Sequence, residues 1–274
     1  MTDRYAVIGN PIAHSKSPAI HAAFARQTEQ DVVYDRIRAE PLDFAGAVRT
    51  FVAAGGRGLN VTVPFKELAW ELLDDLSERA RAARSVNTLM VADGGLLRGD
   101  NTDGVGLVRD LAENHGFSFA GRSVLLVGAG GAARGVVLPL LETGVAALVI
   151  ANRTTAKAHA LAQAMRARGP VSGCGLNQLW RQRFDLIVNA TSTGLQGVDL
   201  NLPSDCLAEQ GWVYDMFYAD APTPFCRWGS ARGAERVLDG LGMLVEQAAE
   251  SFFLWRGLRP DTMPVIKALR EGEL

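Results

Sequence analysis

The chain is short of cysteine, carries no excess of one charge and has no long apolar run, and each shortage closes off a class of function. Its three cysteines in 274 residues, Cys174, Cys206 and Cys226, lie far apart and form no CxxC pair. Neither a disulfide framework nor a zinc site is expected, and no metal is called for; the thiols read as buried and inert in a reducing compartment. Lysine and arginine number 28 against 30 acidic residues, a formal charge of -2, and no block of like charge stands out. Nucleic acid or an acidic membrane would call for a clustered basic surface, so neither is expected as a partner, and a small molecule is. No uncharged apolar stretch reaches the roughly 18 residues of a membrane span. The opening MTDRYAVIG lacks the apolar core and cleavage site of a secretory leader, which makes the cytoplasm the expected location. Internal repeats and low-complexity segments are lacking too.

What is present is enough core for one large or two ordinary domains, with 48% hydrophobic and 21% charged residues. Apolar runs alternate with helical periods, the pattern of an α/β protein. Strands are predicted at 4–9, 32–37, 58–63, 87–91, 123–128, 147–152, 184–190 and 212–217, and the longest helices at 18–27, 42–54, 103–114, 132–143, 155–167 and 241–256. SVLLV, LVIA and DLIVNA are continuous apolar runs suited to strands covered on both faces. They mark a domain of their own at 102–238, leaving 1–101 plus 239–274 as the other. The expected fold is two α/β domains with largely parallel sheets.

SVLLVGAGGAARG sets Gly128, Gly130 and Ala133 in GxGxxA spacing between a strand and a helix. A tight turn at the first glycine and a missing side chain at the second let a pyrophosphate reach backbone N–H groups at the positive end of a helix. At the tip of the next strand an NAD site would offer an acid to the ribose, but Asn152, Arg153 and Thr154 stand there, with Lys157 a turn further on. Cations and hydroxyls suit a 2′-phosphate, so NADP is favoured over NAD; the same NRT also reads as the N-cap sequence of helix 155–167.

In GNPIAHSKSPAIHAAF, residues 9–24, Ser17 before Pro18 reads as an N-cap, with Pro at the first helical position. A cap does not account for His14, Ser15 and Lys16, and hydroxyls at a helix start also suit a carboxylate. In GLNVTVPFKELAW the strand alternation puts Asn60 and Thr62 on one face, and Lys66 falls in the first turn of a helix. There the macrodipole disfavours a cation by about 0.3–1 kcal/mol. Such a lysine is either solvated or a catalytic ammonium in a cleft, where burial lowers its pKa. Asn87 in SVNTLM and Asp103 in RGDNTDGVG add polar groups, the latter also readable as a helix-start acid. Gly240, Met243 and Gln247 share one side of a late helix, where a Met is also plain core filler.

GNPIAHSKSP, NVTVPFK, SVNTL, GDNTDGVG, GAGGAARG, NRT, NATSTG, DMFY with TPF, and GLGMLVEQAA follow one another in the order of the signatures of the shikimate dehydrogenase family, which the chain resembles over nearly its whole length. The resemblance implies reduction of 3-dehydroshikimate to shikimate with NADPH, on the way to aromatic amino acids. It implies that Ser15 and Ser17 hold the substrate carboxylate, that Asn60, Thr62, Asn87, Asp103 and Gln247 bind ring hydroxyls with Tyr218 nearby, and that Lys66, with Asp103 beside it, is the acid/base. For the cofactor it implies Gly128, Ala129, Gly130, Gly131 and Ala132 at the pyrophosphate, and Asn152, Arg153, Thr154 and Lys157 at the 2′-phosphate. Thr191, Met216, Gly240 and Met243 would flank the nicotinamide, with Glu78 approaching the cofactor. The fold the resemblance implies is two α/β domains, an N-terminal substrate domain with a mostly parallel sheet and a Rossmann-type dinucleotide-binding domain, separated by a deep cleft, and a monomer or a homodimer is expected. The alternatives are a quinate/shikimate dehydrogenase with relaxed NAD/NADP use, and a non-catalytic dinucleotide sensor that would need only the glycine turn.

Overall fold

The computed structural model describes residues 2–73, 75–191, 200 and 202–274. Ser192, Thr193 and Gly194 of the NATSTG motif lie outside these residues. The chain divides into two compact units, Met1–Gly106 with Leu244–Leu274, and Leu107–Met243. The passages between them fall inside helices rather than in the connections near Thr102 and Gly240.

The first unit is built on a six-stranded sheet in the order β2-β1-β3-β5-β6-β4. Its strands are β1 (Asp3–Gly9), β2 (Val32–Arg38), β3 (Gly56–Val61), β4 (Asp75–Leu76), β5 (Thr88–Val91) and β6 (Leu97–Asp100). β1 runs parallel to β2 and β3, and β4 to β6, whereas β5 is antiparallel to both neighbours. The helices are α1 (Ser17–Gln27), α2 (Phe44–Ala53), α3 (Lys66–Leu72), α4 (Glu78–Ala83) and α10 (Met263–Glu271), with α5 (Asp103–Arg109) and α9 (Leu241–Arg256) leading across the boundary. Strand alternation divides the core. Ala6, Ile8, Leu59 and Val61 pack with Phe44 and Phe65, whose rings stack at 4.9 Å. On the other face Tyr5 stacks on Trp255 at 4.6 Å. Each such buried apolar side chain contributes about 1.5–3 kcal/mol.

That second face encloses His21 of α1. Its ring is 1% exposed, stacks on Tyr34 at 4.1 Å and meets Phe24 edge-on, and its Nε2 has no hydrogen-bond partner among the described residues. Removal from water pushes its pKa down to about 3, against a small opposing pull from a hydrogen bond with Asn60. The unfolded chain therefore binds a proton below pH 6.5 that the folded chain refuses, and stability falls as pH falls from 6.5 toward 3. Between pH 6.5 and 5 this one group is expected to remove about 2 kcal/mol. Urea midpoints at pH 7, 6 and 5 check it: the slope should flatten in His21→Phe, and an equal slope in the variant would assign the acid sensitivity elsewhere.

The second unit carries a wholly parallel sheet in the order β12-β11-β10-β7-β8-β9. Its strands are β7 (Ser123–Val127), β8 (Ala147–Asn152), β9 (Val171–Gly175), β10 (Phe184–Asn189), β11 (Leu207–Asp215) and β12 (Arg236–Leu238), with α6 (Gly131–Glu142), α7 (Thr155–Met165) and α8 (Pro224–Ala231) between them. Numbered from β7, this is the doubly wound order 3-2-1-4-5-6, whose direction reverses between β7 and β10. The three apolar runs are buried nearly throughout, as both-face coverage requires. Cys206 and Cys226 are buried but Cys174 is only half-buried; burial raises all three thiols, Cys206 to about 11.

Several boundaries differ from expectation for local reasons. β3 stops at Val61 because the Thr62 carbonyl accepts the Phe65 N–H at 2.9 Å and turns the chain. β11 ends at Asp215, where the Phe217 N–H turns to the Asp215 carboxylate instead of a strand partner. The helix expected at 103–114 is α-helical only to Arg109 and finishes as a π-helical turn, Asp110–Asn114.

Candidate active site

Lys66 is the first residue of α3 and Asp103 the first of α5, and the two meet: Lys66 Nζ donates to Asp103 Oδ2 at 2.6 Å. The carboxylate offsets the macrodipole at the lysine, whose side chain keeps 27% exposure against 9% for the aspartate. Asp103 is held from its other oxygen by Asn87 Nδ2 at 2.8 Å. Asn87 Oδ1 accepts the Thr102 N–H at 2.8 Å, and Asn87 Nδ2 also reaches Gln247 Oε1 at 3.3 Å. Asn101 completes the turn, its Oδ1 accepting the Asp103 N–H at 3.2 Å while its Nδ2 donates to the Ser85 hydroxyl at 2.8 Å. Lys66, Asn87, Asp103 and Gln247 thus form one hydrogen-bonded group, in which a proton donor sits beside an oriented acceptor.

Asn60 borders this group and is 5% exposed. Its amide donates to the Asn87 carbonyl, Thr88 Oγ1 and Ser251 Oγ at 3.2, 3.2 and 2.9 Å, while its oxygen accepts from Tyr34 OH at 2.7 Å. Thr62 lies beyond the end of β3, half-buried. Ser17 is not the N-cap. The Lys16 carbonyl already accepts the Ile20 N–H, so α1 starts at Ser17 with Lys16 in the cap position, and Ser15 Oγ accepts the Ser17 N–H at 3.3 Å. The Ser17 hydroxyl is thereby released from capping, and burial pushes the Tyr34 phenol well above its ordinary value. The sequence reading missed two residues of β2 here. Tyr34 is one; Arg36 is the other, donating to the Ser15 carbonyl from Nε at 3.1 Å and Nη2 at 2.6 Å.

Beneath Asp103 the strand end is pinned by charge. Asp100, 4% exposed, accepts from Arg79 Nε and Nη2 at 3.1 and 2.7 Å, from Ser77 Oγ at 2.6 Å and from the Asn101 N–H at 2.6 Å. Arg79 also reaches Glu250 at 3.1 Å. Glu78 lies in the exposed first turn of α4 in this unit.

In the second unit Gly128 follows β7 with φ +116, a conformation side chains rarely adopt, and donates to the Ala151 carbonyl at 2.8 Å. Gly130 caps α6 without a side-chain oxygen, and a Cβ built there would meet only open space. The turn is therefore an uncovered helix start at the switch point of the sheet, which fits a pyrophosphate. Asn152, at the end of neighbouring β8, donates to the Thr154 carbonyl at 3.0 Å and folds the loop that leaves Arg153, Thr154 and Lys157 exposed. Thr154 occupies the N-cap of α7 but makes no capping bond, so its hydroxyl is not committed to the helix. Two exposed cations and a hydroxyl suit a 2′-phosphate.

Thr191 and Met216 are carried at the ends of β10 and β11 on a buried support. Asn189 Oδ1 accepts the Thr191 N–H and hydroxyl at 3.1 and 2.7 Å, and Asn189 Nδ2 donates to Asp215 Oδ1 at 3.0 Å. Thr223 Oγ1 donates to Asp215 Oδ2 at 2.6 Å; desolvation raises the Asp215 carboxyl, and these hydrogen bonds oppose it. Gly240 donates to the Phe217 carbonyl at 3.2 Å and packs on the Met216 backbone, and Met243, 7% exposed, donates its N–H to Tyr214 OH at 3.2 Å. Tyr218 lies in this unit, apart in the chain from the other substrate candidates.

Three family models match: "Shikimate dehydrogenase substrate binding domain" at residues 7–89, "Shikimate / quinate 5-dehydrogenase" at 110–217 and "Shikimate 5'-dehydrogenase C-terminal domain" at 240–270. A curated relative from Alkalilimnicola ehrlichii, named shikimate dehydrogenase (NADP(+)), is 56% identical over 98% of this chain and 99% of its own. Among solved structures, an Ael1 enzyme from Pseudomonas putida superposes with TM-score 0.92 at 46% identity, covering 98% of each chain. Shikimate 5-dehydrogenase from Thermus thermophilus, solved with NADP(H) and shikimate, gives TM-score 0.87 at 34% identity over 98% of this chain and 99% of that one. With both units matched and more than half of the residues shared end to end with a curated relative, the chain belongs to the shikimate dehydrogenase family.

Proposed function

We propose that the chain catalyses the reversible, NADPH-dependent reduction of 3-dehydroshikimate to shikimate, a step of aromatic amino acid biosynthesis. The observation that carries this reading is the 2.6 Å contact between Lys66 Nζ and Asp103 Oδ2. A dinucleotide sensor has no use for an oriented ammonium–carboxylate pair, whereas a ketone reductase must place a proton donor at the oxygen that gains charge. NADPH, when bound, supplies the hydride, and Gly128–Ala132 with Asn152, Arg153, Thr154 and Lys157 would hold it, Thr191, Met216, Gly240 and Met243 flanking its nicotinamide and Glu78 approaching it. Lys66 Nζ gives its proton to the ketone oxygen and takes it back in the oxidation. Asp103 keeps that ammonium aimed and accepts a substrate hydroxyl, and Asn87 keeps Asp103 from turning. Ser15 and Ser17 hold the ring carboxylate; Asn60, Thr62, Asn87, Gln247 and Tyr218 read the hydroxyls.

No described helix is long and apolar enough to cross a membrane. The three cysteines are free, which supports a reducing, cytoplasmic setting; the formal charge of -2 supports a small-molecule substrate rather than nucleic acid, and the enzyme acts as monomer or homodimer.

Initial rates with NADP+ or NAD+ paired with shikimate or quinate test the reading. The highest kcat/KM is expected for NADP+ with shikimate; absence of NADP+ reduction with shikimate would overturn it, and equal use of quinate and NAD+ would favour the relaxed dehydrogenase. Within it, Ser15→Ala is expected to raise KM for shikimate about tenfold, the loss of one hydrogen bond to a charged group, with kcat much less affected. Steady-state kinetics with the opposite split would remove Ser15 from carboxylate binding.

A further inference from the structure

We propose that Arg36 is a positioning and charge-supplying residue of the substrate-carboxylate subsite, one that favours ring acids over their neutral analogues. The inference rests on the functional reading above and adds a residue to it. Arg36 and Tyr34 stand two apart on β2, so their side chains leave the strand on one face. Ser15, on the loop before α1, and Ser17, the first residue of α1, are likewise two apart. Arg36 gives two hydrogen bonds to the Ser15 carbonyl, from Nε at 3.1 Å and Nη2 at 2.6 Å. From its other side the Ser15 backbone is held by its own N–H to the Ile12 carbonyl at 3.1 Å. Its hydroxyl, accepting the Ser17 N–H, therefore has a fixed direction.

The guanidinium is not neutralised. Arg36 is in no ion pair among the described residues, and its Nη1 has no hydrogen-bond partner there; the acid two residues beyond Arg38, Glu40, is paired to Arg38 at 3.4 Å. Hydroxyls and a helix start offer a carboxylate only partial charges. An unpaired guanidinium hydrogen-bonded to the same loop supplies a whole one, in a rigid fork suited to carboxylates. Because the group is exposed to water, the gain is that of a screened surface charge rather than a buried one.

The test is steady-state kinetics of the wild type, Arg36→Met and Arg36→Lys, with shikimate and its methyl ester as substrates at saturating NADP+. Arg36→Met is expected to raise KM for shikimate roughly fivefold, with kcat within about twofold, and to raise KM for the ester by no more than about twofold. Arg36→Lys should restore part of the preference for the acid, since charge returns without the fork. Equal increases for acid and ester would mean that Arg36 only shapes the loop, and an unchanged KM for the acid would overturn the proposal outright. A wild type inert toward shikimate would refute the functional reading and this inference with it. An active wild type with an indifferent Arg36→Met refutes this inference alone.

Discussion

Lys66→Met is expected to lower kcat by roughly 10² to 10⁴-fold while KM for shikimate changes little, because general acid catalysis is worth about that much and methionine keeps the stem without the proton. The geometry makes the loss specific. Lys66 begins α3 and has one carboxylate partner among the described residues, at 2.6 Å. In the variant Asp103 keeps its bond from Asn87 Nδ2 at 2.8 Å and the Asn101 cap on its N–H, so the site should stay assembled. Circular dichroism should show an unaltered fold. Steady-state rates near those of the wild type would take Lys66 out of the reaction.

Arg153→Ala carries the second large effect, in the other unit. It should weaken NADPH about 30-fold and leave NADH unchanged, since a hydrogen bond to a charged group is worth about 1.5–3 kcal/mol and tenfold in affinity is about 1.4. Arg153 stands exposed on the loop after β8, beside Thr154, whose hydroxyl makes no capping bond. Calorimetric titration with each dinucleotide reads the affinity without turnover. Exposed charges are screened, so the NADPH advantage of the wild type should shrink with added salt, and that of the variant should not. Equal losses for both cofactors would show that the loop supports the dinucleotide generally and does not read its phosphate.

Most of the frame was legible where one physical signal dominates. SVLLV, ALVIAN and FDLIVN are apolar because both sheet faces are covered, and β7, β8 and β10 lie where those runs are. The elements not singled out are those without such a signal. LRGD forms β6 and VSGCG forms β9 with no alternation to read, and α4 is six residues whose Ser77 cap accepts the Ala80 N–H. Local chemistry also misassigned the cap of α1: Ser17 before Pro18 reads as the boundary, but the Ile20 N–H bonds the Lys16 carbonyl, so the helix begins one residue earlier.

The candidate site divides in the same way. Its residue types could be read, since a lysine at a helix start is disfavoured enough to need a reason and His14, Ser15 and Lys16 are more polar groups than a cap requires. Their partners could not. Asp103 meets Lys66 from 37 positions away and Arg36 meets Ser15 from 21, separations that no local pattern encodes. Asn60 is the plainest case. It looked like one polar face of a strand, and it is a buried junction joining β2, β3, β5 and α9 through Tyr34, Thr88 and Ser251.

The central claim is that the Lys66 ammonium meets the oxygen that changes between alcohol and ketone. A crystal structure of the chain with shikimate and NADP+ tests it most directly. The account predicts Lys66 Nζ within about 2.6–3.2 Å of that oxygen, with Asp103 still bonded to Nζ; a complex that turns the reacting oxygen toward a different donor, with Lys66 facing solvent, would contradict it.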